Sequence, residues 1–197
     1  MSNDLTELVC VIDRSGSMKS IQMDAIGGFN AFLDSQKALP GDAYLTLVLF
    51  DHDYERVLDG VSIAEVSPLT VETYVPRGTT ALLDAVGRTL VDVADRISTT
   101  PKEERPESVL VCILTDGMEN ASSDFTRDRV RTLIEEKQRE QGWEFQFLAA
   151  NQGAFAEAGR LGIDRSDSAG FVADAAGTAR AFAVIGERSS RLREKRS

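Results

Sequence analysis

The chain has 197 residues, 42% hydrophobic and 27% charged, with a net charge of −10. That length suits one α/β domain, residues 1–197, burying about 70% of its unfolded surface, and the composition excludes a disordered or fibrous chain. The acidic balance argues against nucleic acid, which needs clustered Lys and Arg, and no apolar run approaches the roughly 20 residues of a membrane span.

The opening residues, MSNDLTELV, have no basic stretch followed by an apolar one, so no secretory leader is expected and the location reads as cytoplasmic. Residues 5–12 read as a strand that becomes continuously apolar and stops at Asp13. Over residues 19–37 the period changes to that of a helix, with Ile21, Ala25, Phe29 and Phe32 on one face. Pro40 and Gly41 end it. YLTLVLF, residues 44–50, is a second strand; DHD and YERVL after it suggest a hairpin to a short third strand. Residues 60–77 read as loop with a helical turn near IAEV.

A helix is clear in GTTALLDAVGRTLVDVADRIS, where Leu83, Val86, Leu90, Val93 and Ile97 alternate spacings of three and four. Residues 108–116, SVLVCILTD, form a strand buried on both faces that also ends on an aspartate, Asp116. A charged helix follows from SSDFT, opened by capping residues. WEFQFLAAN is the next strand, with Trp143, Phe145 and Phe147 alternating. GAFAEAGRLG is a short helix, Phe171 and Val172 a last short strand, and TARAFAVIGERSSRLREK a C-terminal helix. Its basic end, Arg188, Arg191, Arg193, Lys195 and Arg196, reads as a solvated terminus that complements the helix dipole. Cys10 and Cys112 sit inside apolar strands and read as small core residues, with a disulfide disfavoured.

Strands alternating with helices predict a Rossmann-like α/β fold: an open, mostly parallel central sheet, one short antiparallel edge strand, and helices on both faces. Ligands of such sheets bind outside the carboxyl ends of the strands, where strand order reverses. If the early units wind one way and the later units the other, the strands ending in Asp13 and Asp116 are central neighbours, and their carboxylates share a crevice. Two carboxylates without a cation repel each other. The groups beside them are oxygens: Ser15, Ser17 and the threonines of RGTTALLDA. Without cysteine or histidine, zinc and copper fit poorly, and hard oxygen donors suit Mg²⁺, Mn²⁺ or Ca²⁺. Taken alone, DRSGS is equally a turn with an N-cap serine, and TDGMEN a strand end and turn.

Together, VIDRSGSM, RGTTALLDAVG and ILTDGMEN resemble a von Willebrand factor type A domain with its metal-ion-dependent adhesion site. That site has the pattern D-x-S-x-S, then a threonine, then an aspartate followed by glycine. The likeness runs closely over residues 5–143 and suggests a stand-alone bacterial member. It implies Ser15 and Ser17 as direct ligands, and Asp13 and Asp116 holding the ion mainly through bound waters. The threonine is Thr80, with Thr79 the alternative, since Thr79 stands where the usual pattern has a second glycine. The resemblance further implies a protein partner whose carboxylate fills the open coordination position.

The expected function is therefore a divalent-metal-dependent protein-binding module and not an enzyme, because no general base accompanies the five oxygens. A phosphatase-like metal hydrolase is one alternative. It lacks the second aspartate two residues after Asp13, a Gly-rich phosphate loop and a G-x-S-x-G elbow. A scaffold that the metal merely stabilises is the other. His52, Glu119, Asn120 and Asn151 lie in segments that follow strands, as candidates for the rim of the site or as ordinary turn residues.

Overall fold

The computed structural model describes residues 5–194. Residues 1–4, the first part of the region read for a leader, and Lys195 and Arg196 of the basic tail lie outside them. Six strands form one sheet: β1 (Thr6–Asp13), β2 (Ala43–Phe50), β3 (Tyr54–Ser62), β4 (Ser108–Thr115), β5 (Glu144–Ala149) and β6 (Ser168–Gly170). Five helices connect or flank them: α1 (Gln22–Lys37), α2 (Leu82–Thr99), α3 (Arg127–Gln141), α4 (Gln152–Arg160) and α5 (Ala175–Glu194).

The spatial order is β3-β2-β1-β4-β5-β6, parallel throughout except for the β2–β3 pair. Winding therefore reverses between β1 and β4, and these two strands are central neighbours. Side chains alternate across them as period-2 geometry requires. Leu8, Cys10, Ile12, Leu110, Cys112 and Leu114 enter the core with α1 and α5. Val9, Val11, Val111 and Ile113 enter the core with α2, α3 and α4. Every residue of β1 and β4 is buried because helices cover both faces. Cys10 and Cys112 are register partners, free and buried. Burial pushes the Cys10 thiol up to about 12.

Helices α1 and α5 are held together by aromatic packing: Phe29 meets Phe182 edge-on at 6.4 Å between ring centroids. Helix α3 starts at Thr126, whose hydroxyl accepts the Arg129 N–H at 3.3 Å, and ends at Gly142 in the left-handed region, φ 65°.

Four expectations are corrected. The antiparallel edge strand β3 has nine residues, the longest in the sheet, and takes in Gly60–Ser62, which read as loop. An edge strand packs on one side only, so its mixed exposure hides the strand signature. The last strand is Ser168–Gly170, not Phe171 and Val172. Phe171 still donates its N–H to Ala149 O (2.9 Å), but the chain leaves the sheet there. Residues 16–21 form a 3₁₀ turn, so the first α-helix starts at Gln22 and not near Lys19. Finally, the basic end of α5 is not simply solvated. Arg188 pairs with Glu144 and Asp167, both at 2.8 Å. Arg193 is buried and donates to the carbonyls of Gln36 (2.6 Å) and Gly41 (2.9 Å).

Candidate metal centre

The crevice lies at the carboxyl ends of β1 and β4. Asp13 is the last residue of β1 and is fully buried. Its Oδ1 accepts the Ser15 N–H at 2.6 Å, and its Oδ2 accepts the Thr115 hydroxyl at 2.6 Å. Burial pushes its carboxyl up to about 6; the bonds from Thr115 and Ser15 offset only part of that, and the nearby Asp116 adds to it. Asp116 follows β4 directly and is also raised, by burial first, against a lowering bond from Ser17.

The two aspartates are linked through Ser15, bound to Asp13 by its N–H, and Ser17. Ser15 Oγ lies 3.1 Å from Ser17 Oγ, and Ser17 Oγ donates to Asp116 Oδ1 at 2.6 Å. Ser15 stands at the N-cap of the 3₁₀ turn, yet its side chain makes no capping bond. Its hydroxyl is turned to Ser17, which is not what a simple helix-cap role would require.

Thr80 and Thr79 separate by exposure. Thr80 is buried, and Thr79 faces solvent. Gly117 brings Thr80 to the aspartates. A Cβ on Gly117 would lie 2.6 Å from Thr80 Oγ1 and 3.3 Å from Asp13 Oδ2. Only glycine leaves both oxygens bordering one space. Asp13, Ser15, Ser17, Thr80 and Asp116 are thus brought to one crevice, from three chain segments.

Residues outside the motifs hold this arrangement. The Tyr74 hydroxyl donates to Asp13 O at 2.6 Å from a fully buried ring. Arg77 N–H donates to Arg14 O (2.8 Å), and Gly16 N–H to Gly78 O (3.1 Å), stitching the β1 loop to the segment before α2. Asn120 clasps Thr80 twice: Thr80 N–H donates to its Oδ1 at 2.9 Å, and its own N–H donates to Thr80 O at 3.1 Å. Glu119 is no rim ligand. Its carboxylate accepts the N–H groups of Leu83 (2.8 Å), Ala121 (3.0 Å) and Ser122 (2.8 Å). It caps α2, whose own N-cap residue, Ala81, offers no side-chain bond, and its charge suits that helix end. The Asn151 amide donates to Asp116 O. Thr115 and Tyr74 were missed from sequence because their partners lie 102 and 61 positions away.

A second acidic group, Asp51, His52 and Asp53, has ligand atoms within 4.8 Å of one another. It is an ion-pair cluster. Asp51 Oδ2 accepts Arg14 Nε (2.9 Å) and Arg77 Nε (3.0 Å), and Oδ1 accepts the Asp53 N–H (2.7 Å). Burial would raise the Asp51 carboxyl, but that N–H and the two guanidiniums outweigh it and hold the group below its usual range. His52 is half exposed and packs against Gly78.

No protein-family model matches the sequence, and no curated protein does. Solved structures do. The von Willebrand factor domain of the type V pili tip protein Mfa5 from Porphyromonas gingivalis aligns with a TM-score of 0.67 at 15% identity, covering 97% of both chains. The PilB minor pilin from Streptococcus sanguinis aligns at 0.61 and 10% identity, over 94% of this chain and 61% of the pilin. Proximal thread matrix protein 1 from the mussel byssus, in a form with a zinc-occupied adhesion-site motif, aligns at 0.61 and 15% identity, over 94% of this chain and 46% of its own. The chain therefore spans about half to two-thirds of the latter two proteins. By its strand order, its crevice at the winding reversal and these likenesses, the chain has the von Willebrand factor type A fold.

Proposed function

We propose that the crevice binds a divalent cation, Mg²⁺ or Mn²⁺, and that the ion's open position takes a carboxylate from a partner protein. The observation that carries this reading is the meeting of five oxygen side chains around one space, two of them carboxylates raised chiefly by burial, with the charge of Asp116 adding to the rise at Asp13. A cation removes that conflict, and an all-oxygen donor set suits hard ions. The ion would be held by Ser15, Ser17 and Thr80 with Asp13 and Asp116. Three of these donors are neutral hydroxyls, so the ion keeps enough charge to attract an outside carboxylate. When bound, the ion supplies that electrostatic anchor. The protein's own part is to hold the oxygens in place and to keep the site rigid. Of the structural neighbours, one is a pilus tip protein and one carries zinc in the corresponding motif, which supports a metal-linked interaction role. Binding is favoured over hydrolysis because the chain's one histidine is engaged with Asp51 (3.2 Å) and Asp53 (3.6 Å).

The test is a thermal titration of chelator-treated protein with Mg²⁺, Mn²⁺, Ca²⁺ and Zn²⁺. At a hundredfold excess over Kd, an ion that binds only the folded state adds about 2.7 kcal/mol. For a chain of this size that is a rise in Tm of about 5–10 °C. Mg²⁺ or Mn²⁺ should produce it, and no shift with any ion would overturn the metal reading. Thr80→Ala should remove most of the shift, and Thr79→Ala should leave it intact. The reverse pattern would transfer the ligand role to Thr79.

A further inference from the structure

A cavity of about 580 Å³ opens at the carboxyl ends of β5 and β6, between α4 and α5. Ala149 and Gly170 form its floor, and Phe155, Ala181 and Val184 its walls. Asn151 and Arg180 stand among its lining, Arg180 as the one charged residue there. The volume is within the range of pockets that hold a ligand group.

Three observations tie the cavity to the metal crevice. Asn151 lines the cavity and donates its side-chain amide to the carbonyl of Asp116, so one residue separates the two spaces. Met118, two residues after Asp116, is exposed and lies across the first turn of α4, where a Cβ on Gly153 would come within 3.0 Å of its sulfur. Val172 is exposed on the cavity's other side. Met118 lines a smaller cleft with Gly153 and Ala156, and Ala156 also lines the cavity, so the metal loop and the cavity meet across the first turns of α4. Charge selects the occupant. The chain is strongly acidic, yet Arg180 is exposed, and among the described residues no carboxylate pairs with it. An acidic segment suits a cation at both ends of this path, the metal and Arg180.

We propose that this cavity is a specificity pocket of the metal site: it takes an apolar side chain of the partner, placed within a few residues of the carboxylate that reaches the ion. The inference rests on the metal-binding reading above. It makes the partner motif an acidic residue followed or preceded closely by a large aliphatic one. The metal supplies orientation and the cavity supplies discrimination.

The probes are N-acetylated, C-amidated peptides with a glutamate, a spacer of one to three glycines and a terminal leucine. Matched peptides carry glycine in place of the leucine, or glutamine in place of the glutamate. Binding to the full chain is read by NMR shift titration, with 5 mM Mg²⁺ or with chelator. At one spacer length or more, the leucine peptide should bind at least tenfold tighter than its glycine match. Gly170→Leu fills the cavity from its floor; a Cβ there meets nothing closer than the Ala149 carbonyl at 3.8 Å. This variant should erase the leucine advantage while keeping the Mg²⁺ thermal shift. Val184→Trp, from the wall, is the second variant with the same expectation. Equal affinity for leucine and glycine peptides at every spacer, no binding of any peptide, or an advantage that survives both variants overturns the pocket. Self-association that Gly170→Leu abolishes, without peptide binding, also overturns it in favour of a second copy. A leucine advantage indifferent to chelator and to the glutamine exchange overturns the pocket as part of the metal site, while metal binding itself stands or falls by the thermal titration.

Discussion

Asp13→Asn should make the metal-free protein more stable than the wild type while abolishing its response to metal. A carboxyl raised from 3.8 to about 6 costs on the order of 3 kcal/mol when ionised at pH 7. An amide removes that charge without losing the hydrogen bonds. Its oxygen can accept the Ser15 N–H, and its NH₂ can donate to Thr115 Oγ1. The Thr115 hydroxyl then turns to Gly117 O, already 3.2 Å away. The expected gain is about 5–10 °C in Tm for the chelated protein. Its pH dependence follows in sign. Between the unfolded value near 3.8 and the folded value of about 6, the folded wild type holds a proton that the unfolded chain has released. Its metal-free stability therefore falls as pH rises through that window, and the variant lacks this loss. The variant's advantage should be full at pH 7.5 and nearly gone at pH 4. Urea unfolding of chelated wild type and variant at both pH values measures it. A variant less stable than wild type at pH 7.5 would refute the account of Asp13 as a buried charge awaiting a cation.

Asp51→Asn should do the opposite: lower stability and leave the metal response in place. Asp51 directly follows β2, the strand beside β1, and is as buried as Asp13, but its charge is matched by two guanidiniums. Removing the charge leaves Arg14, only 5% exposed at its side chain, with Glu55 alone. Breaking one partner of a buried pair costs about 3–5 kcal/mol, a fall of roughly 10 °C in a chain of this size. Because the folded carboxyl is held below its usual value, its contribution is present above about pH 4 and is lost only as pH falls through the depressed value. Calorimetry with and without Mg²⁺ would show a lower baseline and an unchanged increment. Unaltered stability would mean that Glu55 alone suffices for Arg14. The two neighbouring aspartates thus differ in kind: among the described residues Asp13 is buried without a cationic side chain paired to it, whereas Asp51 is buried with two.

The central strands are legible in sequence because burial on both faces leaves a plain mark, an unbroken apolar run ending on a polar residue. Asp13, Ser15 and Ser17 are visible because their spacing is local. Asp116 becomes visible once β1 and β4 are recognised as neighbours across the winding reversal, and Thr80 only through the resemblance of RGTTALLDAVG to the adhesion-site pattern. Other parts leave no local signal. The strand β6 is Ser-Ala-Gly, without a single strand-favouring residue, while Phe171 and Val172 beside it carry that signal outside the sheet. Arg193 reads as a solvated tail because nothing in its neighbourhood along the chain reveals the carbonyls of residues 36–41, more than 150 positions earlier. Glu119 reads as a rim candidate because it follows Asp116 in the same loop, and only the folded chain shows it capping a helix that begins 37 positions before it.

The clasp between Asn120 and Thr80 has a mechanical consequence. Its two bonds weld the loop after β4 to the entrance of α2, and the bonds from Arg77 and Gly16 weld that entrance to the loop after β1. The three arms of the crevice behave as one casting, without a free finger that must close on its guest. The entropy of arranging them is spent when the chain folds, before the proposed partner would arrive. Encounter should then be limited by diffusion and orientation, in the 10⁵–10⁷ M⁻¹s⁻¹ range usual for preformed surfaces, and the hold on a partner should be set by how slowly it lets go.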